Sequence, residues 1–129
     1  MSKPLIAIVN DDTAFLELMH DLLEEEGYET VIEKERGDAP KVIRDKHPAL
    51  VILDIRMDHP ESGMQILEII RLDPQTTSIP VIVCSADHRF LVEKEPILRE
   101  KHCEILEKPF DLQDLLTKVQ SQIGVPRAG

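Results

Sequence analysis

The chain has no apolar run approaching the roughly 20 residues that a helix needs to cross a bilayer, which excludes a helical membrane span on sequence grounds. Met1-Ser2-Lys3-Pro4 leads straight into a short apolar segment, so no secretory signal peptide is expected and a cytoplasmic location is. Cysteine is scarce: Cys84 and Cys103 are the two, each in or beside an apolar stretch. Buried free thiols in a reducing cytoplasm are the ordinary reading of that pattern. The histidines His20, His47, His59, His88 and His102 show no ligand spacing with these cysteines, which argues against zinc. Basic residues are outnumbered, 15 Lys and Arg against 25 Asp and Glu for a formal charge of −10. A nucleic-acid footprint would instead show as a basic face. Internal repeats, low-complexity tracts and an interdomain linker are lacking as well.

What is present suits one globular, soluble domain over 1–129, with a core from about 5 to 123. The 129 residues are enough for a real core, and 42% hydrophobic with 31% charged is a globular balance. The most telling stretch is Ala49-Leu50-Val51-Ile52-Leu53-Asp54-Ile55-Arg56. Its uninterrupted Leu/Val/Ile run reads as a strand buried on both faces, the habit of parallel sheets covered by helices. Pro48 before it and the polar, Pro- and Gly-marked run Asp58 to Gly63 after it bound the strand.

The rest of the chain alternates between two periods. Strand patterns fall at Leu5–Val9, Tyr28–Ile32, Pro80–Cys84 and Cys103–Leu106. The first helix carries Phe15, Leu18/Met19, Leu22 and Leu23 as its stripe, with Asp12 as N-cap and Gly27 as the closing C′ residue. A short helix follows Asp38 as cap and Pro40 in its first turn, through Val42, Ile43 and Lys46. Another runs from about Met64 to Leu72 with Leu67 and Ile70 inward, stopping before Asp73-Pro74. Phe90 to His102 is helical in composition, but Pro96 is expected to break or restart a helix there. Asp111 caps a last helix with Leu112, Leu115, Leu116, Val119 and Ile123 at helical spacing, ended by Gly124 and Pro126. Five alternations of strand and helix predict an α/β domain with a mainly parallel sheet.

In open α/β sheets ligands bind outside the carboxyl ends of the strands. Four strands end there in polar residues: Asp11, Asp54, Ser85 and Lys108. Each alone has a bland explanation as turn residue, solvated acid, helix cap or surface charge. Together on one edge they form a chemical set. Asp11 and Asp54 offer hard oxygen ligands of the kind Mg²⁺ accepts alongside water and phosphate. Lys108 supplies a positive charge for a carboxylate or phosphoryl oxygen, and Ser85 a hydrogen bond to an oxygen that gains charge during transfer. An aspartate nucleophile taking a phosphoryl group needs little beyond such positioning.

The constellation Val9-Asn10-Asp11-Asp12, Leu53-Asp54-Ile55-Arg56-Met57, Val83-Cys84-Ser85-Ala86-Asp87 and Glu107-Lys108-Pro109-Phe110 resembles the CheY-like receiver domain of bacterial two-component response regulators. The resemblance covers roughly Leu5 to Ile123. It implies a flavodoxin-like, doubly wound five-stranded parallel sheet of order 2-1-3-4-5 with helices on both faces. It implies further that Asp54 is the phospho-accepting aspartate, and that Asp11, Asp54 and the backbone carbonyl of Arg56 bind Mg²⁺. By the same likeness Ser85 is the hydroxyl that follows the phosphoryl group, and Lys108, before a cis proline bond, pairs with a phosphoryl oxygen. The implied donor is a phosphohistidine on a sensor histidine kinase or histidine phosphotransfer protein, in two-component signal transduction or a phosphorelay. A downstream protein target is implied and left unidentified.

This chain departs from the family pattern in three places. Asn10 stands where the first of two acids usually opens the pocket, and is expected to reach the metal only through a water. Asp12 is expected to face the helix start rather than substitute for it. Ile105 replaces the aromatic that swings with the hydroxyl residue, so that coupling cannot run in its usual form. The loop after Asp54 reaches Gly63 one residue late, with Pro60 displaced. Arg56 and Asp87, two residues beyond Asp54 and Ser85, are placed to flank the approach of a hydrolytic water, and an ion pair between them would shield an acyl phosphate.

Two rival classes share these residues. A receiver fold whose pocket has drifted would be a phosphorylation-independent interaction module, towards which Asn10 and Ile105 lean. An aspartate-nucleophile phosphohydrolase would need a second aspartate two residues after the nucleophile, where Arg56 stands instead. Retention of Asp11, Asp54, Ser85 and Lys108 favours a stoichiometric acceptor that is no enzyme in the turnover sense.

Overall fold

The computed structural model describes residues 3–55 and 62–124. Within them strands and helices alternate as β1 (Leu5–Val9), α1 (Thr13–Glu25), β2 (Glu29–Glu33), α2 (Ala39–Lys46) and β3 (Leu50–Asp54), then α3 (Ser62–Leu72), β4 (Val81–Ser85), α4 (His88–Glu100), β5 (Cys103–Glu107) and α5 (Leu112–Ile123). The strands form one parallel sheet in the order β2-β1-β3-β4-β5. This is the doubly wound topology the resemblance implied, with its switch point between β1 and β3.

Every residue of β3 and β4 is buried, and the alternation of side chains along a strand explains why both faces are apolar. Val51, Leu53, Val81 and Val83 pack with Ile43 of α2, Leu67 and Ile70 of α3, and Leu98 of α4. Leu50, Ile52 and Ile82 point the other way, against Leu16, Met19 and Leu23 of α1 and Leu115 and Val119 of α5. Burying side chains of this size contributes about 1.5–3 kcal/mol each, so two filled faces hold the sheet as a rigid platform. Cys84 and Cys103 are buried free thiols.

Local signals set the helix ends. Asp12 caps α1, its carboxylate accepting the Phe15 N–H at 3.2 Å, and Gly27 turns the chain out at φ 95°. Asp111 and Asp114 form a reciprocal capping box on α5.

The inward stripe of α1 is Leu16, Met19 and Leu23, while Leu18 is 55% exposed; one step along a helix is about 100° of rotation, enough to take Leu18 off the face that Met19 buries. Asp38 occupies the start of α2 in helical backbone geometry and makes no capping bond, because a cap needs an extended backbone to aim its oxygen at the first N–H groups. β2 begins at Glu29 rather than Tyr28, whose N–H is spent on the Leu23 carbonyl. The Tyr28 hydroxyl donates to the Gly124 carbonyl at 2.9 Å.

Pro96 neither breaks nor restarts α4, which runs through it. Pro96 and Val92, the residue whose carbonyl loses its helical donor, both lie on the exposed side of α4, where water can take over that bond. Leu91 and Leu98 on the opposite side are buried and hold the helix to the sheet.

Candidate functional site

Strand register brings the polar tips together. Val9 is level with Leu53 on neighbouring strands, so Asn10 and Asp54 leave the sheet at the same height. Asp54 in turn is level with Cys84, which sets Ser85 one step beyond it, and Ser85 is level with Glu107. The Lys108 N–H donates to the Ser85 carbonyl at 2.8 Å, which fixes the start of the β5 exit loop against β4. The Lys108–Pro109 peptide is cis, as expected.

Parity along the strands then decides which way each side chain turns. Asp54 follows Leu50 and Ile52, and Asn10 follows Ile6 and Ile8, all on the α1/α5 face. Ser85 shares the parity of Val81 and Val83 and belongs to the opposite face.

Lys108 Nζ stands 3.9 Å from Asp54 Oδ2, with the lysine side chain 24% and the aspartate side chain 11% exposed. A carboxylate so nearly removed from water needs positive charge or hydrogen bonds to stay ionised. Ser85 is buried, and its Oγ accepts the Asp87 N–H at 3.0 Å, leaving the hydroxyl proton for a further acceptor. Asp87 is the N-cap of α4, accepting the Phe90 N–H at 3.0 Å. Arg56, its expected ion-pair partner and the carbonyl expected on the metal, lies outside the described residues, as does Pro60.

Asp11 is exposed at the end of β1. Asp12 is committed to the α1 cap, and its N–H donates to Asn10 Oδ1 at 2.9 Å. That bond fixes the orientation of the Asn10 amide and leaves Nδ2 buried without a partner among the described residues. A buried orphan N–H₂ is the kind of group that an ordered water or the shell of a bound ion completes.

Among the described residues no group of three or more His, Cys, Asp and Glu could hold a metal. Magnesium needs only one or two carboxylates with water filling its octahedron. Asp11 and Asp54, with the orphaned Asn10 amide beside them, fit that donor set.

Cys84 lies in the same neighbourhood: burial foremost pushes its thiol up to about 12, the Asp54 charge adding to the rise and Lys108 opposing it. Ile105 is half-buried and packs on the α2/α3/α4 side of the core. An aromatic pair, Phe15 and Phe110, borders the site. Phe15, read only as a core position, lies under Lys108 Nζ, 4.2 Å from the ring centroid. Its ring meets Phe110 edge-on, with centroids 6.4 Å apart at 90°. The backward tilt of helical side chains was the available signal, since a first-turn aromatic leans towards the strand tips.

The sequence profile of the response regulator receiver domain matches residues 6–120. The chain belongs to the response regulator receiver domain family. It is similar to the polar-differentiation response regulator DivK of Brucella ovis, with 30% identity over 122 residues that cover 92% of this chain and 95% of that one. Among solved structures it resembles the chemotaxis protein CheY4 of Vibrio cholerae (TM-score 0.84, 19% identity, 95% of this chain and 100% of the other). It also resembles the receiver domain of the sensor histidine kinase PA1611 from Pseudomonas aeruginosa (TM-score 0.82, 19% identity, 95% and 99% covered). That receiver holds a magnesium ion in its active-site cleft.

Proposed function

We propose that the chain is a single cytoplasmic receiver domain that takes a phosphoryl group onto Asp54 from a phosphohistidine of a sensor histidine kinase or phosphotransfer protein. The supporting observation is the meeting of Asp54 and Lys108 at 3.9 Å, at the end of a fully buried strand, with Asn10, Asp11 and Ser85 on adjacent tips. An Asp54 carboxylate oxygen attacks phosphorus as the P–N bond breaks, and the departing imidazole nitrogen keeps the bonding pair and takes a proton from water. Lys108 balances charge on a phosphoryl oxygen. Ser85 donates its free hydroxyl proton to another, and Asp87 holds Ser85 in place through its N–H.

Asp11, Asp54 and the Arg56 carbonyl are the proposed Mg²⁺ ligands, with Asn10 reaching the ion through water. When bound, the ion neutralises charge on the transferred group. Hydrolysis of the acyl phosphate resets the domain, and a binding surface for a downstream target switches with it. With Ile105 in place of an aromatic, this switch does not run through the usual swing of an aromatic ring.

Incubation with acetyl phosphate and Mg²⁺, followed by intact mass, tests the reading. One added phosphoryl group on the wild type and none on Asp54→Asn is expected. No gain in mass favours an interaction module, and sustained turnover without a labelled protein favours a hydrolase.

A further inference from the structure

We infer that Phe15 is a positioning residue for phosphoryl acceptance, its ring face holding the Lys108 ammonium beside Asp54. The inference deepens the acceptor reading and rests on it. A lysine side chain has several freely rotating bonds, and a carboxylate at 3.9 Å is the outer limit of a paired contact. Among the described residues, the other group against Nζ is the Phe15 ring, 4.2 Å to its centroid. Cations are drawn to the electron-rich face of an aromatic, more strongly where water is partly excluded, and three quarters of the Lys108 side chain is shielded (24% exposed).

The ring is itself held in place. Its backbone N–H is fixed by the Asp12 cap at 3.2 Å, and its side chain meets Phe110 edge-on at 6.4 Å. Phe110 leaves the same loop as Lys108, so contacts run from the loop to α1 and back to the ammonium. The arrangement sets where the positive charge waits before a phosphoryl group arrives. It acts through Lys108, since nothing places Phe15 against the reacting atoms.

The test compares wild type with Phe15→Leu, Phe15→Tyr and pentafluorophenylalanine at position 15, a ring of similar shape with its face polarity reversed. Two quantities are read: the rate of labelling by acetyl phosphate with Mg²⁺, and the proton chemical shift of the Lys108 ε-methylene in the unphosphorylated protein. The ε-methylene is expected upfield of ordinary lysine in the wild type and at the ordinary position in Phe15→Leu. Labelling is expected to slow roughly fivefold to thirtyfold in Phe15→Leu and in the fluorinated protein, and to return within about twofold in Phe15→Tyr. Wild-type labelling in the fluorinated protein, or an ordinary wild-type methylene shift, overturns the inference even where Phe15→Leu fails to fold. An upfield shift in a wild type that accepts no phosphoryl group overturns the acceptor reading and, with it, any role for Phe15 in acceptance.

Discussion

Lys108 Nζ and Asp54 Oδ2 face each other across 3.9 Å at the carboxyl edge of the sheet, though they leave strands separated by β4. Backbone makes that meeting possible. The Lys108 N–H is held by the Ser85 carbonyl at 2.8 Å, and the register of three parallel strands sets the height of each tip. The charge pair therefore rests on the rigid part of the molecule, where preorganisation is most effective.

Asn10 leaves the proposed metal site one negative charge short of the usual pair of acids. Its Oδ1 already serves the Asp12 N–H and its Nδ2 is orphaned. Asn10→Asp keeps the first bond, removes the orphan and adds a negative charge beside the proposed Mg²⁺ site. Mg²⁺ affinity measured by calorimetric titration should rise roughly tenfold, about 1.4 kcal/mol. Equal affinity for the two proteins would reject the account of this position.

Gly63 anchors the return of the chain after Asp54, its N–H donating to the Ile55 carbonyl at 3.0 Å. A methyl group there would lie 2.3 Å from both Cα and O of Ile55. Such contacts fall on backbone, so the Ile55 main chain would have to shift to admit a side chain. Gly63→Ala should cost about 3 kcal/mol in urea unfolding, and a loss within experimental error of zero would contradict the packing described.

Pro96 runs against helix chemistry inside α4. Replacing it with alanine restores the N–H to the Val92 carbonyl and relieves ring crowding on a solvated face. Thermal unfolding of Pro96→Ala should show a gain of about 1–3 kcal/mol. A less stable variant would mean that the proline stabilises this helix.

Cys84 should be inert in the native protein. Burial raises its thiol to about 12 from an ordinary 9.0, so thiolate is scarce at neutral pH and iodoacetamide should react only after unfolding. The unfolded chain loses this proton first, so the Cys84 titration leaves stability unchanged below about pH 9 and lowers it between about 9 and 12. Cys84→Ala should lose stability less steeply across that window in denaturant titrations at stepped pH; an unchanged slope would contradict the assignment.

Much of this was legible in the residues because local and global signals agree. Short apolar runs such as Leu50–Leu53, bounded by Pro48 and a polar Pro- and Gly-marked segment, fit strands covered on both faces, and Asp12, Gly27 and Asp111 mark helix ends by chemistry that acts within a turn. The tips Asp11, Asp54, Ser85 and Lys108 followed from the topology, since parallel strands share one carboxyl edge. What escaped depended on angle or on solvent. Leu18 and Leu16 are equally apolar, and helix rotation chooses between them. Pro96 is tolerated because its side of α4 faces water. Phe15 looked like core; helix tilt leans its ring towards the strand tips, but its place under Lys108 also needs the approach of α1 to the β5 exit loop, which depends on tertiary packing.

The most direct measurement traps the labelled protein with borohydride after acetyl phosphate and Mg²⁺, then sequences its peptides by mass spectrometry. An acyl phosphate on aspartate is reduced to homoserine, so the account predicts homoserine at position 54 of the wild type and nowhere in Asp54→Asn. Homoserine at Asp11, at Asp12 or at no position would contradict it.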